Sequence, residues 1–474
     1  QCTLQLTNSR FLRNAPDTTS PLAVVQVDGQ FPTMRFDAIT VASQTSPFFA
    51  ATNNKVGYTL QVNSSTFQDN TALLFDPNNL NNINLSYNTF SSCGPIFSIL
   101  SPGPDIPGFA FNTLTNCSGV VAGGLNWQTG VNITDNLIHN SGAGFQLLYW
   151  ESYSTDIGQI TIANNQFDGA TQPTNKALIQ VMYQVDVLSI TNNTFTNVAI
   201  TGQMVTYIAN QTTFNTTVTI ADNTLTHHVG TSNLPFASIT GGDFTGTIID
   251  MHNNVFVNST YGLLKCTLCM STTISNIVVT DSTSSSAFIT LSTGTSTGTS
   301  LVTLTNITVN VLAIPRPAGV NVDMSTSGST LQVTDLTYTG SNTHKFSAAQ
   351  VTLNRLTLRN SSTPVLVGGS TSSSQLSNLN LQYSSLNVLG TANLTNLQIE
   401  YVDSTSSLVS GPVVLGGSLK VFLQGFTGQM NATWFPLINA TAITGSFSSV
   451  QLVNPTTQLP QIDILGAPLH FDVQ

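Results

Sequence analysis

The chain has 474 residues, of which only 7% are charged, against roughly 25% in an ordinary globular domain. Its polar residues are instead 46 Asn and 119 Ser and Thr, and the net charge is −10. Eleven Lys and Arg cannot supply the clustered cations that neutralise phosphates, so nucleic acid is excluded as a main partner. A hydrophobic content of 40% is enough for a core and separates the chain from disordered Ser- and Thr-rich tracts.

One short motif recurs along the chain. Residues 83–90 read INLSYNTF, residues 160–167 read ITIANNQF and residues 188–195 read LSITNNTF. Each copy ends in an apolar residue, which we call the anchor. A second apolar residue stands five positions before the anchor, and Asn often stands two positions before it. Apolar and polar residues alternate as in a β-strand, and no window shows helical periodicity.

This template predicts sixteen strand-bearing repeats, spaced 18 to 31 residues apart, and all sixteen have an apolar residue five positions before the anchor. The anchors are Phe11, Phe36, Phe67, Phe90, Leu114, Ile138, Phe167, Phe195, Leu225, Phe256, Val279, Val309, Tyr338, Leu358, Leu381 and Ile399. Looser matches follow at Phe426, Leu452 and Leu469. Such a repeat is typical of a β-sandwich with evenly spaced hairpins or of a solenoid.

The residue two positions before the anchor separates these two folds. It is Asn in seven consecutive repeats, namely Asn88, Asn112, Asn136, Asn165, Asn193, Asn223 and Asn254. If each repeat lies about 4.8 Å above the last, these amides hydrogen-bond along the stack, which a sandwich does not explain. From Val279 onward the position becomes aliphatic, and Asn or Asp often moves one position earlier. The aliphatic residues are Ile277, Ile307, Leu336, Leu356, Leu379 and Leu397.

This pattern resembles the right-handed parallel β-helix of the pectin-lyase-like superfamily, whose coils carry stacked aliphatic side chains and Asn ladders at a tight turn. The resemblance implies an all-β fold, a single right-handed parallel β-helix (solenoid) of roughly 16–19 coils. It implies one domain over residues 1–474, with Asn-ladder coils over 1–270, aliphatic-turn coils over 271–400 and less regular C-terminal coils over 401–474. The fold hosts lyases, hydrolases, adhesins and fibre proteins, so it does not define a function.

The five cysteines indicate disulfides rather than a metal site. Cys266 and Cys269 form a C-x-x-C pair, but the six His lack the spacing of a zinc site and no βαβ pattern indicates a thioredoxin-like site. We therefore predict a local disulfide there and no metal or cofactor. Cys93 and Cys117 each lie three residues after an anchor, and the resemblance places them in neighbouring coils at a separation that a disulfide tolerates. Cys2 is left over, either free or bonded between subunits.

The acidic and basic clusters with which enzymes of this fold cut polyuronides are missing. The best catalytic candidates are Glu151, Asp156 and Asp186. They lie among aromatic residues, which are Tyr149, Trp150, Tyr153, Tyr183 and Tyr207. Aromatic rings beside carboxylates suit sugar binding and acid–base hydrolysis. Alternatively, the rings pack on one another or on a protein partner and the acids are solvated; we favour this interpretation and expect no enzyme activity.

Low charge favours an extracellular address, either secreted or at the cell surface. The chain starts at Gln1, as expected after removal of a secretory signal, although a trimmed chain would look the same. No apolar run reaches the roughly 18 to 20 residues of a membrane span. Thirteen sequons, a number that the composition produces by chance, are candidate N-glycosylation sites: Asn63, Asn84, Asn116, Asn132, Asn192, Asn210, Asn215, Asn258, Asn306, Asn360, Asn393, Asn431 and Asn439.

The two ends of the repeat array predict self-assembly. Solenoids that stay monomeric need a capping element at each end. Residues 2–6 already read as a strand, and the tail QIDILGAPLHFDVQ still alternates. We therefore predict a secreted structural β-solenoid, a head-to-tail filament or surface-coat subunit whose partners are copies of itself, with glycans as further candidate partners. The alternatives are a carbohydrate-active enzyme or sugar-binding protein of the same fold, and a monomeric adhesin with loops folded over its ends.

Overall fold

A computed structural model of the protein describes residues 3–12, 23–27, 33–51, 58–76, 80–99, 108–124, 130–140, 145–152, 158–169, 171–172, 177–183, 185–200, 202–209, 216–228, 234–241, 247–283, 287–292, 300–311, 319–324, 328–340, 343–361, 364–369, 372–401, 409–423, 438–439, 442–453 and 460–463. The chain divides into two compact units. Unit 1 comprises Gln1–Asp250 and Asn254–Tyr261, and unit 2 comprises Met251–Asn253 and Gly262–Gln474. The described residues form strands and turns and contain no helix.

The strands up to residue 257 are β1 (Thr3–Thr7), β2 (Arg10–Leu12), β3 (Val25–Val27), β4 (Thr33–Asp37), β5 (Thr40–Ala42), β6 (Phe49–Ala51), β7 (Tyr58–Asn63), β8 (Thr66–Gln68), β9 (Phe75–Asp76), β10 (Leu80–Ser86), β11 (Thr89–Ser91), β12 (Pro95–Ile99), β13 (Gly108–Ala110), β14 (Thr113–Thr115), β15 (Gly119–Gly124), β16 (Gly130–Thr134), β17 (Leu137–His139), β18 (Gln146–Ser152), β19 (Gln159–Ala163), β20 (Gln166–Asp168), β21 (Thr171–Gln172), β22 (Ile179–Tyr183), β23 (Val187–Thr191), β24 (Thr194–Thr196), β25 (Ala199–Ile200), β26 (Val205–Ile208), β27 (Thr216–Ala221), β28 (Thr224–Thr226), β29 (Pro235–Thr240), β30 (Thr247–His252) and β31 (Val255–Val257).

The later strands are β32 (Gly262–Thr267), β33 (Cys269–Ser282), β34 (Ile289–Ser292), β35 (Leu301–Val311), β36 (Val320–Asp323), β37 (Thr330–Thr339), β38 (Lys345–Ser347), β39 (Gln350–Arg359), β40 (Val365–Val367), β41 (Ser373–Gln382), β42 (Leu386–Val388), β43 (Thr391–Tyr401), β44 (Val409–Ser410), β45 (Val413–Leu423), β46 (Ile438–Asn439), β47 (Ile443–Gly445), β48 (Ser449–Val453) and β49 (Pro460–Asp463).

Three stacks of parallel strands build unit 1. The first stack runs in the order β1, β4, β7, β10, β13, β16, β19, β23 and β27. The second stack holds the short strands β2, β5, β8, β11, β14, β17, β20, β24, β28 and β31. The third stack holds β3, β6, β9, β12, β15, β18, β22, β26 and β29. Each turn of the chain adds one strand to each stack, so unit 1 is a parallel β-solenoid.

Unit 2 is also a parallel β-solenoid, with longer strands. Its first stack is β33, β35, β37, β39, β41, β43 and β45, and β45 also pairs with β47 and β48. Its second stack is β32, β34, β36, β38, β40, β42, β44 and β46. The predicted β-solenoid is therefore confirmed. The assignment of residues 1–474 to a single domain stays a prediction.

In-register pairing places like side chains above one another in the core. Ile133, Ile162, Ile190 and Ile220 pair directly in successive coils, and all four are fully buried. Anchors stack in the same way. The rings of Phe167 and Phe195 lie 4.7 Å apart and 10° from parallel. Because strand side chains alternate between the two faces, the apolar positions of the template all enter the solenoid interior.

The structure corrects the predicted register at two places. Leu6 pairs with Phe36, and Phe11 pairs with Val41, so the anchor of the second coil is Val41 and not Phe36. The template selects Phe36 as the anchor because many anchors are Phe. The predicted anchor of the second coil therefore lies five residues before the true one. The same shift affected the predicted anchor Phe426, because Ile399 pairs with Val421. Val421 pairs in turn with Leu452, which was one of the predicted anchors, whereas Phe426 and Leu469 lie outside the described residues.

A left-handed residue forms the corner between the first two strands of each coil in unit 1. This corner residue stands three positions before the anchor, and its φ lies between +49° and +58°. The corner residues are Asn8, Ala38, Ser64, Tyr87, Phe111, Asp135, Asn164, Asn192 and Asp222. Asn and Asp adopt this conformation more readily than other non-Gly residues, which explains why they recur here. The residue after the corner points inward and carries the ladder.

The predicted Asn ladder is present in unit 1. Asn165 donates from Nδ2 to Asn193 Oδ1 at 3.0 Å and to Ile133 O at 2.9 Å, and its backbone N–H also donates to Asn193 Oδ1 at 3.0 Å. The same bonding connects the ladder from Asn88 to Asn254. The ladder thereby satisfies buried amide groups that would otherwise lack partners.

In unit 2, aliphatic side chains take the inward position of the ladder. Ile277, Ile307 and Leu336 pair there and are fully buried. An outer row of corner amides continues, in which Asn306 Nδ2 donates to Asn276 Oδ1 at 2.8 Å. The predicted change from an Asn-lined to an aliphatic turn is therefore present.

Candidate functional site

The aromatic residues around the predicted catalytic acids belong in part to the core. Trp150 in β18 and Tyr207 in β26 both pair with Val181 in β22, and both rings are fully buried. The Tyr207 hydroxyl lies 2.8 Å from Thr216 Oγ1, and burial raises the pKa of Tyr207 to about 12. These two rings therefore lie inside the solenoid and offer no surface to a sugar.

The two predicted acids that the structure describes belong to different stacks of strands, Glu151 within β18 and Asp186 in the bend before β23. Glu151 lies in β18 opposite Met182, whereas Asp156 lies outside the described residues. Asp186 precedes β23; its N–H donates to Gly158 O at 3.0 Å and its carbonyl accepts from Thr217 N at 2.8 Å. Burial raises the pKa of Asp186. Tyr153 also lies outside the described residues, and of Tyr183 the structure gives only its place in β22.

A disulfide joins Cys266 and Cys269 in unit 2, whose α-carbons are 6.1 Å apart. It connects the end of β32 to the start of β33 and encloses Leu268, which has a φ of +64°. A Leu in the left-handed region is uncommon, and the disulfide closes the bend in which Leu268 adopts this conformation. Cys2 lies outside the described residues.

Cys93 and Cys117 occupy neighbouring coils, as expected, but they are free thiols in the structure. The disulfide predicted between them is not formed there. Each thiol instead lies near a main-chain carbonyl: Cys93 Sγ is 3.4 Å from Ser91 O, and Cys117 Sγ is 3.6 Å from Thr115 O. A hydrogen bond with Cys93 and then burial raise the pKa of Cys117, so it stays protonated.

Several predicted glycosylation sites occupy exposed positions. Asn116, Asn192, Asn258, Asn306, Asn360 and Asn393 are exposed. Asn63, Asn84 and Asn132 are partly buried, and Asn439 is described only as part of β46. Asn210, Asn215 and Asn431 lie outside the described residues. Modification of the exposed asparagines stays a prediction.

The first coil of unit 1, formed by β1–β3, differs from the coils that follow it. Leu4 and Leu6 are only half-buried, whereas their partners Met34 and Phe36 in the next coil are fully buried. The anchor Phe11 is likewise half-buried. Among the described strands, β1, β2 and β3 each have one neighbour, on the side of the second coil. Within the described part of the chain, the first coil therefore presents an apolar face and three outer strand edges.

The last described strand departs from the expected continuation of the solenoid. β49, which starts the predicted strand-like tail, runs antiparallel to β48, with Leu452 opposite Ile462. Residues Pro460–Asp463 thus run back along β48 instead of adding another parallel strand. Among the described strands β49 pairs with β48 alone, so its outer edge faces away from the stack.

Two large aromatic rings are exposed on the outer corner of unit 1. Tyr87 is 62% exposed and Phe111 is 49% exposed, and their ring centroids lie 4.9 Å apart with planes 5° from parallel. The predictions missed this pair because the template follows inward positions. Its signal in the sequence is the replacement of the common corner Asn or Asp by an aromatic residue in two successive repeats.

Comparison of the chain with models of protein families, with curated proteins and with solved structures finds no match. No helix in the described part of the chain is long and apolar enough to cross a membrane. The described residues also contain no group of three or more His, Cys, Asp or Glu that could hold a metal ion.

Proposed function

We propose that this protein is an extracellular structural β-solenoid that assembles end to end through its first coil, as the subunit of a filament or surface coat. The observation that carries the proposal is the contrast between the first two coils. Leu4, Leu6 and Phe11 retain exposed apolar surface at positions that are fully buried one coil later. Covering this surface with another copy would extend the core by one more layer.

The backbone of the first coil supports the same contact. The outer edges of β1, β2 and β3 carry N–H and C=O groups that can pair with another strand. The exposed side chains of β1, which are Thr3, Gln5 and Thr7, are uncharged, and Arg10 is the one exposed charge among the described residues of β1 and β2. In another copy, the outer edge of β49 is suited to receive these strand edges, either in antiparallel pairing or in a contact between the two edges. Such a contact uses two different surfaces, and a contact of this kind that does not close into a ring leads to a filament.

Sedimentation velocity across a range of concentrations tests this proposal. Wild-type protein is expected to form species larger than the monomer. A Leu4→Lys/Leu6→Lys variant should sediment as a monomer, because it places two charges on the apolar face. Leu12→Lys is the matched control: Leu12 lies on β2 beside Phe11, is 51% exposed and points away from the core. It should assemble like wild type.

Two outcomes would contradict the proposal. One is a wild-type monomer at every accessible concentration, and the other is an equal loss of assembly in both variants. Circular dichroism and thermal unfolding would confirm that the double variant is folded. The extracellular address is tested separately by immunolabelling of intact and permeabilised source cells, where labelling of intact cells is expected.

A further inference from the structure

We propose that the exposed ring face of Tyr87, together with the polar row beside it, binds a neutral pyranose unit of a polysaccharide. The site goes beyond the proposed assembly because it lies on the lateral corner of unit 1 and not on its first coil. It rests on four observations: the conformation of Tyr87 and Phe111, their exposure, the small residues in the preceding coils, and a hydrogen-bonded row alongside.

The conformation of the two aromatic residues is unfavourable. Their φ angles are +58° for Tyr87 and +56° for Phe111. A bulky residue rarely adopts this region, and the later corner positions of unit 1 use Asp or Asn. Neither aromatic side chain contributes to the core, since both are largely exposed. Strained residues of this kind concentrate at binding sites, where the strain is retained for function.

The corner column forms a step at Tyr87. Phe111 covers one face of the Tyr87 ring. The coil on the opposite side places Ser64 at the corner, and the coil before that places Ala38 there; both are exposed. Neither side chain is large enough to cover a phenol ring. We call this feature the aromatic step. It consists of the uncovered face of the Tyr87 ring and the shelf that Ser64 and Ala38 form beside it.

A row of polar side chains runs beside the shelf. It occupies the outward position just before the corner. Asn63 Nδ2 donates to Asp37 Oδ1 at 3.1 Å, and Ser86 Oγ donates to Asn63 Oδ1 at 2.6 Å. Arg35 Nε donates to Asp37 Oδ2 at 2.5 Å. The row is therefore fixed in place and offers amide, carboxylate and guanidinium groups to a ligand on the shelf.

These features match a pyranose ring. One face of a pyranose carries C–H groups and stacks on an aromatic ring of similar size, while its equatorial hydroxyls reach polar groups at the side. Asp37 already compensates the charge of Arg35, which favours a neutral sugar over a uronate. A protein partner fits less well. Among the described residues of this corner the exposed apolar area consists of two rings, and their corner neighbours are Ser64 and Asp135, whereas a stable protein interface needs a much larger surface.

The test is binding of a panel of oligosaccharides to Tyr87→Asn, Phe111→Asn and wild-type protein by calorimetry. The panel contains neutral hexamers of β-1,4-glucose, β-1,3-glucose, β-1,4-mannose and β-1,4-N-acetylglucosamine, with tetragalacturonate as the charged comparison. Asn suits the corner conformation, so both variants should fold, which urea unfolding would verify. The matched control is Tyr383→Asn, which changes another exposed Tyr with a positive φ of +50° in unit 2.

We expect at least one neutral hexamer to bind wild-type protein and Tyr383→Asn equally. Tyr87→Asn should weaken binding by about tenfold or more, with a smaller loss for Phe111→Asn. The proposal is overturned if no hexamer binds, if tetragalacturonate binds more tightly than the neutral sugars, or if Tyr87→Asn binds like wild type. It is also overturned if Tyr87→Asn changes the sedimentation coefficient, since the step would then be a contact between copies.

Discussion

At the scale of single residues, the ladder Asn and the corner residue before it form different kinds of hydrogen bond. A ladder Asn makes bonds both along the stack and to the main chain of a neighbouring coil. The corner residue before it forms its side-chain hydrogen bonds at the exposed surface instead, where Asn164 donates to Asp135 at 3.1 Å. The inner and outer amides are adjacent in sequence but differ in burial, so their energetic contributions should differ strongly.

Asn165→Ala should therefore destabilise unit 1 by about 3 kcal/mol, because it leaves Asn136 Nδ2 and Ile133 O buried without this partner. Asn164→Gly is the control at the adjacent exposed corner, where Gly adopts the φ of +58° easily, and it should change stability by about 0.5 kcal/mol or less. Urea unfolding measures both. Equal effects of the two substitutions would refute a role for the inner ladder in stability.

A buried histidine should make unit 2 sensitive to acid. His344 accepts the N–H of Val320 at Nδ1 and lies against Tyr338, and burial lowers its pKa to about 3. This folded value lies below the ordinary one of about 6.5. The neutral form is therefore favoured in the folded state. Its contribution to stability is complete above pH 6.5 and is lost as the pH falls toward 3, at about 1.4 kcal/mol per pH unit.

Urea unfolding between pH 6.5 and pH 5 tests this linkage, since most carboxylates stay ionised in that window. His344→Gln should unfold with a flatter pH dependence than wild type. Substitution of the exposed His227 by Gln is the control and should leave the dependence unchanged. If the unfolding free energy of His344→Gln depended on pH as steeply as that of wild type, the acid sensitivity would have to come from other groups.

At the scale of elements, the two units use different solutions for the same inward turn position. Unit 1 stacks amides there and unit 2 stacks aliphatic side chains, and each solution requires the same choice in adjacent coils. A single amide among aliphatic neighbours has no ladder partner above or below. Stability at this position should thus depend on the whole stack.

Leu336→Asn tests this dependence. Leu336 is fully buried and pairs with Ile307 on one side and Leu356 on the other. The substitution should cost about 4 kcal/mol, because it removes apolar contacts and buries an unpaired amide. Thr337→Asn is the control on the outward face of the same strand and should be nearly neutral. A small effect of Leu336→Asn on thermal unfolding would show that the turn accepts either residue independently.

The parts of this fold that follow from the sequence are those that repeat with period two. Alternation and the Asn register predicted the stacked strands because in-register pairing forces the same residue type into each inward position. Phe36 shows the limit: an aromatic residue five positions before the true anchor, Val41, matches the template as well as the anchor does. The corner pair of Tyr87 and Phe111 was not predicted, because outward positions follow no such repeat.

At the scale of the whole molecule, the proposed assembly assigns association between copies to the apolar face of the first coil. The surface of the chain carries few charges, so hydrogen bonding and apolar contact are the main forces available for association. The first coil combines these two forces, because its outer strand edges can form hydrogen bonds and its half-buried residues can form apolar contacts. The aromatic step lies on a lateral corner, so sugar binding and assembly can proceed together, each with its own set of variants.

Cryo-electron microscopy of the purified protein, at a concentration where it sediments as larger species, would show the contact between copies itself. We expect end-to-end particles in which β1–β3 of one copy contact a second copy and Leu4, Leu6 and Phe11 are buried at the junction. Isolated monomers whose first coil is covered by residues of the same chain would contradict it.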